Sequence, residues 1–211
     1  MSPPPAPQRL AADDAAAMVD TLTAAFDHEP LLTWWLRNGP GALVARRKFF
    51  AYALAGGVHP KAQHWTMRGP AGAATAAAVW TPPGSAAFEL GLWKQISIAP
   101  LLFEIAGYEG LRRALSLGPM LAEQHPHMAH AHLVFLGVHP SCQGQGFGSA
   151  MLKHTLAPVD QAGIAAYLET GQEENVRLYL RHGFEVTAEL QAPRGGPRFW
   201  SMLRPAKAAL I

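Results

Sequence analysis

Apolar positions near the start of the chain follow a helical beat. Ala17, Met18, Thr21, Leu22, Ala25 and Phe26 recur three and four residues apart, which predicts a helix over residues 13–26 with Asp13 or Asp14 as its N-cap. Asp27-His28-Glu29-Pro30 breaks that beat, Trp34-Trp35-Leu36 follows, and residues 41–55 read as a second helix closed by Gly56-Gly57. Two strands, 64–68 and 73–81, come next, joined by the turn Gly69-Pro70-Ala71-Gly72. Residues 85–128 return to helical spacing, with breaks expected at Pro100, Gly107, Gly118-Pro119 and Pro126.

The second half is more sharply punctuated. An apolar strand, 132–138, runs into the glycine-rich stretch 143–149, and a helix then reaches Gly163, with a kink expected at Pro158. A strand over 165–169 and a helix over 174–182, stopped by Gly183, precede two strands, 184–190 and 197–203, around Pro193-Arg194-Gly195-Gly196. Helices mixed with strands that end in a hairpin predict an α/β (α+β) fold. With no repeat and no linker, residues 1–211 read as one domain behind a disordered proline-rich leader, residues 1–7.

Composition narrows the function. The chain is 49% hydrophobic and 15% charged with a formal net charge of +2, and no dense basic run recommends a nucleic-acid partner. No apolar stretch approaches the roughly 18 residues of a membrane span. The leader has neither the basic start nor the apolar centre of a signal peptide, so a cytoplasmic protein is expected. The single cysteine, Cys142, excludes an internal disulfide; without a flanking His-Asn or His-Asp pattern it reads as a small loop residue, not a nucleophile.

Chemistry concentrates at Gln143-Gly144-Gln145-Gly146-Phe147-Gly148-Ser149, between a strand and a helix start. The first turn of a helix leaves backbone N–H groups unpaired at the positive end of its dipole, and glycines let an anion approach them. The stretch therefore reads as a phosphate cradle. It lacks the Gly-Lys-Ser/Thr of a P-loop. A dinucleotide site is the nearer rival, with Glu169 placed for a ribose contact, but Ser149 stands in the slot of the third glycine and a single crossover unit is too little for a doubly wound sheet.

Gln143, Gly146 and Gly148 in the pattern Gln-x-x-Gly-x-Gly resemble the acyl-coenzyme A loop of the GNAT acetyltransferases. Leu136-Gly137-Val138-His139-Pro140 resembles the fourth strand that enters this loop, Tyr167-Leu168-Glu169-Thr170 the fifth strand, and Asn175-x-x-x-Tyr179-x-x-x-Gly183-Phe184 the segment after it. Over residues 132–205 the likeness extends to puromycin N-acetyltransferase and its relatives, through Gly183–Glu189 and Gly196-Pro197-Arg198-x-Trp200-x-Met202. In the first half it thins to Asp13-Asp14, Ala24-Ala25-Phe26 and Ala78-Val79-Trp80-Thr81, the half that recognises the acceptor in this family.

The resemblance implies the GNAT fold: a mixed, mostly antiparallel sheet, splayed at its fourth and fifth strands and flanked by helices. Acetyl-CoA is the implied co-substrate, with Leu136, Gly137 and Val138 along the pantetheine and Gln143, Gly144, Gln145, Gly146, Phe147, Gly148 and Ser149 around the diphosphate. Gln143 stands where relatives often carry Arg and offers an amide donor. Asn175 contacts the pantetheine arm or caps its helix. Tyr179 is the implied general acid, since a phenol is protonated at neutral pH, and an N–H near a fourth-strand bulge, at Gly137 or Val138, serves the oxyanion.

The general base stays open among Glu169, His28, Glu29 and His132. His125, His127, His130 and His132 invite a metal, but no Asp or Cys joins them, and none is expected. Among the first-half aromatics Trp34, Trp35, Trp80, Trp93, Phe88 and Tyr108, an aromatic part of an acceptor finds partners; His28, Trp34, Trp80 and His132 are the candidate substrate contacts, and residues 85–128 the helical acceptor-side segment. The expected activity is acetyl transfer to a primary amine of a small molecule, with an aminoacyl-nucleoside antibiotic or other toxic amine favoured by the resemblance. The alternatives are a protein N-terminal or lysine acetyltransferase and a non-catalytic coenzyme A sensor. A monomer or a homodimer suits the chain.

Overall fold

The computed structural model describes residues 4–11, 14–69, 73–85, 87–88 and 92–207. Asp13, the turn residues 70–72, residues 1–3 of the leader and the side chain of Trp93 lie outside the described residues. The remainder of the leader is placed: Pro7 is buried, and Gln8–Arg9 form β1, an edge strand paired with β2 (Gln63–Arg68). Helix α1 (Ala15–Ala25) starts after Asp14, whose side chain makes no cap and pairs with Arg68 instead. Short helix α2 (Pro30–Trp35) opens on Pro30 and is capped by Glu29, which accepts from the Leu32 N–H at 2.7 Å. Helix α3 (Ala42–Tyr52) unwinds through Ala53–Gly57, and β3 (Ala74–Thr81) returns antiparallel to β2.

Helix α4 (Leu92–Gln124) is longer than expected. Pro100 and Pro119 do not break it. Both prolines are exposed, as are Ile96 and Leu115 one turn earlier, so each carbonyl that loses its partner lies on a face water can reach. The one interruption is Gly107, at φ 67° and ψ −174°, a region open essentially to glycine alone. Arg37 meets the break: its N–H donates to Ile105 O at 2.8 Å and its guanidinium to the carbonyls of Phe103 and Glu104, which end the first rod.

Strand β4 (His130–Val138), helix α5 (Phe147–Gln161), strand β5 (Ala165–Thr170), helix α6 (Glu173–Leu180) and the hairpin β6 (Glu185–Gln191) and β7 (Arg198–Arg204) follow the expected order. Helix α5 carries through Pro158 to Gln161. Gly183, at φ +83°, closes α6 in a Schellman arrangement, with Phe184 N donating to Tyr179 O and Gly183 N to Leu180 O. No helix among the described residues is long and apolar enough to cross a membrane.

The sheet runs β1-β2-β3-β4-β5-β7-β6, antiparallel except between β4 and β5. Those two pair only where His130, Ala131 and His132 face Ala165, Ala166 and Tyr167; beyond, they part. This is the splayed GNAT fold that the motifs imply. Two cores sandwich the sheet. Ala76, Ala78 and Trp80 of β3 face α5, while Ala77 and Val79 face α1 and α3, the alternation a strand dictates. A bulge at Val134 interrupts that alternation on β4: Val79 pairs with Phe135 and Trp80 with Leu133. Leu133 and Leu136 consequently pack on the α5 side, with Val134 and Phe135 between them on the other. The bulge thus lies three residues before Gly137, the first of the two positions whose N–H is expected to serve the oxyanion.

Gly137 has a packing role as well. A Cβ there would lie 2.9 Å from Ala25 Cβ and 3.0 Å from Leu22 Cδ2, so its missing side chain lets α1 lie directly on β4. Gly137→Ala is expected to lower stability by about 1–3 kcal/mol through overpacking, read from urea unfolding; an unchanged midpoint would show that α1 yields freely.

Candidate active site

Where β4 and β5 diverge, a cavity of about 1400 Å³ opens between them and extends beneath α1 to α4. On its donor side lie Leu136, Gly137 and Val138, whose strand has β3 on one edge and no strand on the other beyond His132. That free edge offers main-chain donors and acceptors to an extended amide chain. It leads to the glycine loop and the start of α5, where Gly144 (φ +72°) and Gly146 (φ +85°) hold conformations that disfavour side chains. Gly146 is the N-cap of α5 and has no side chain to cap the first turn, which leaves backbone N–H groups there for an anion.

The loop is braced by its own side chains. Gln143 Nε2 donates to Val138 O at 3.1 Å and Gln145 Nε2 to Ser141 O at 2.9 Å. Gln143, which lines the cavity, thus braces the loop with one of its two amide N–H bonds, and Gln145 does not line the cavity. Gly144, Gly146, Phe147, Gly148 and Ser149 do. Ser149 Oγ lies 2.8 Å from His182 Nε2, a support the sequence did not reveal. Arg181, also on the cavity wall, brings the guanidinium that position 143 lacks. Asn175 lines the cavity from the first turn of α6, whose N-cap is Gln172, with its amide nitrogen donating to Gln172 Oε1 at 2.9 Å. These features fit the diphosphate and pantetheine of a coenzyme A thioester.

Tyr179 lines the same cavity from α6, its ring 5.8 Å from Phe184. Burial pushes its phenol well above the ordinary value, which keeps the proton on oxygen. The same cavity is lined by a carboxylate–imidazole pair: His132 Nε2 lies 2.7 Å from Glu169 Oε2. Burial works to raise the Glu169 pKa, but the His132 charge and hydrogen bond and the nearby His125 outweigh it, and the carboxyl titrates below the usual range. His132 Nε2–H donates to that carboxylate, and its Nδ1 is buried with no partner among the described residues.

His125, at the end of α4, joins this group. Its ring lies 5.2 Å from that of His132 and 5.1 Å from that of Tyr167, and its Nε2 sits 3.1 Å from His130 Nε2. His130 Nδ1 donates to Met128 O at 2.7 Å. Among the described residues no three or more His, Cys, Asp or Glu side chains are arranged to hold a metal ion. Burial lowers the pKa of both His125 and His130, His132 adding to the effect, while Glu169 opposes it. Their neutral forms are favoured in the fold, so the unfolded chain binds more protons as pH drops below about 6.5. Thermal stability should accordingly fall between pH 7.5 and 5.5, and His125→Gln should flatten that slope; parallel melting profiles would remove His125 from it.

The candidate substrate contacts do not share one place. His132 faces the cavity, but His28 is nearly free in solvent at 92% side-chain exposure and lines a separate shallow pocket with Glu173 and Trp200. Trp80 is buried in the core against α5, and Trp34 packs with Leu117, Ala192 and Phe199 under Arg113. Phe26, Glu29, Trp35, Phe49, Tyr52 and Phe88 line the half of the cavity away from the glycine loop. One face of α4, Leu111, Leu115, Gly118, Ala122 and His125, completes it. Their four-and-three spacing was a legible signal of a single helical face.

Residues 111–186 match the Acetyltransferase (GNAT) domain family. A Corynebacterium glutamicum structure described as histone acetyltransferase HPA2 and related acetyltransferase superposes with a TM-score of 0.76 at 22% identity, over 99% of both chains. Drosophila melanogaster polyamine N-acetyltransferase superposes at 0.63 with 15% identity, over 94% of this chain and 98% of that one. Aedes aegypti arylalkylamine N-acetyltransferase 2 gives 0.63 at 13% identity, over 95% and 98%. These likenesses are of fold; the matched segment carries the cradle, Glu169, Asn175 and Tyr179. Residues 111–186 thus carry the match to a GNAT acetyltransferase domain, and the chain as a whole shares the fold of these acetyltransferases.

Proposed function

We propose that this protein transfers the acetyl group of acetyl-CoA to a primary amine of a small molecule. The observation that carries this reading is one continuous cavity. It joins the free β4 edge and glycine cradle to Tyr179 and the Glu169–His132 pair, and continues into a pocket walled by aromatic and aliphatic side chains. An amine desolvated by such walls holds its proton less tightly and attacks as the neutral species. As the new C–N bond forms and the C–S bond breaks, Glu169–His132 takes the proton that the amine sheds, and Tyr179 gives its own to the departing sulfur. Among toxic amines, an aminoacyl-nucleoside antibiotic would bring its primary amine to the pair and its aryl side chain to these walls, with detoxification as the role.

Thiol release from acetyl-CoA with a panel of small amines, including puromycin, tests the reading. Turnover of small amines supports it. Turnover confined to peptides would replace it with a protein acetyltransferase, and coenzyme binding by calorimetry without any turnover would replace it with a sensor.

A further inference from the structure

The acceptor half of the cavity discriminates by charge as well as by shape. Apart from the phenols of Tyr52 and Tyr179 and the thiol of Cys142, the ionisable side chains on its wall gather at the reaction point (Glu169, His132, His125) or on and just after α6 beside the donor (Glu174, Arg181), with one exception, Glu29. Glu29 is itself committed: it caps α2 through the Leu32 N–H at 2.7 Å and is pressed against Gly171, and burial raises its pKa towards the neutral acid. Farther in, between α2, α3 and α4, the wall is Leu32, Trp35, Phe49, Ile98, Leu102 and Leu111, which present no charged group.

We infer that the acceptor is a primary monoamine whose remaining bulk is apolar and uncharged, and that a second cationic group on the same molecule is rejected. This rests on the amine-acetylation reading above. One nitrogen is served: it sits by Glu169–His132 and becomes neutral before attack. A second ammonium carried on a chain of ordinary length is driven into the apolar half, where it loses its water and finds no free carboxylate, and an unpaired buried charge is among the costliest groups a protein can accommodate. An aryl ring or branched alkyl group in the same place exchanges water for contacts with Trp35, Phe49 and the α4 face.

Matched pairs test this directly, with thiol release as the readout on the full chain. Hexylamine against 1,6-diaminohexane changes one terminal group at constant length, and 2-phenylethylamine against agmatine contrasts an aryl with a guanidinium tail. The monoamine of each pair is expected to show at least a hundredfold higher kcat/KM. Ile98→Glu and, independently, Leu102→Glu place a carboxylate in the apolar half and should narrow the hexylamine preference at least tenfold in whichever variant folds. Diamine turnover within tenfold of the monoamine, or variants that fold and leave the ratio unchanged, would overturn the inference while leaving amine acetylation standing. Absence of turnover with every amine, despite calorimetric binding of acetyl-CoA, would overturn both.

Discussion

Gly146→Asp should weaken acetyl-CoA binding at least a hundredfold by calorimetry while leaving the fold intact. Two effects act together. Position 146 has φ +85°, where a side chain costs about 1–2 kcal/mol, though Asn and Asp tolerate this region better than most. The larger effect is electrostatic, since a carboxylate at the N-cap of α5 occupies the place that favours an incoming anion and repels the diphosphate. Gly146→Asn separates the two, because it shares the shape without the charge; a loss of about tenfold or less is expected there. The two readouts of the Asp variant should also diverge in size, because the backbone strain lowers its melting temperature only modestly while affinity collapses. Wild-type affinity in Gly146→Asp would mean that the diphosphate binds elsewhere.

Tyr179→Phe should lower kcat by about a hundredfold to a thousandfold, the range for loss of a positioned proton donor, and change coenzyme affinity less than threefold. The ring is retained on Phe184, so packing persists and only the hydroxyl is lost. Because burial pushes this phenol above its ordinary value of about 10, the wild-type rate should show no alkaline decline from Tyr179 across the neutral and mildly basic range. An unchanged kcat would remove Tyr179 from proton transfer and leave the thiolate to depart unassisted.

How far the sequence foretells this site depends on the range of the contacts involved. The cradle and the α6 residues are local: a strand, two obligatory glycine conformations and a helix start follow one another within twenty residues, so spacing reveals them. The parting of β4 and β5 follows from the order of the same motifs. The bulge at Val134 is hidden, because one extra residue inside the apolar run 133–138 leaves the pattern apolar. β1 is hidden for another reason: two residues carry no periodicity, and only β2, more than fifty residues away, makes them a strand. Trp34 and Trp80 are the right residue type for an acceptor pocket, yet both sit in cores. Trp80 shares a sheet face with Ala76 and Ala78, and which face meets the substrate is fixed by long-range packing. His125 was visible only as one of several histidines; its partnership with His130 arises when the end of α4 meets the start of β4.

Gly107 makes α4 a jointed lever, with Ile98 and Leu102 on one arm and Leu111 and Leu115 on the other. The angle at this joint, where Arg37 holds the carbonyls of the first arm, therefore sets how those two pairs of wall residues stand to one another. Variation at Gly107 and Arg37 can retune which molecules enter without altering one atom of the donor machinery.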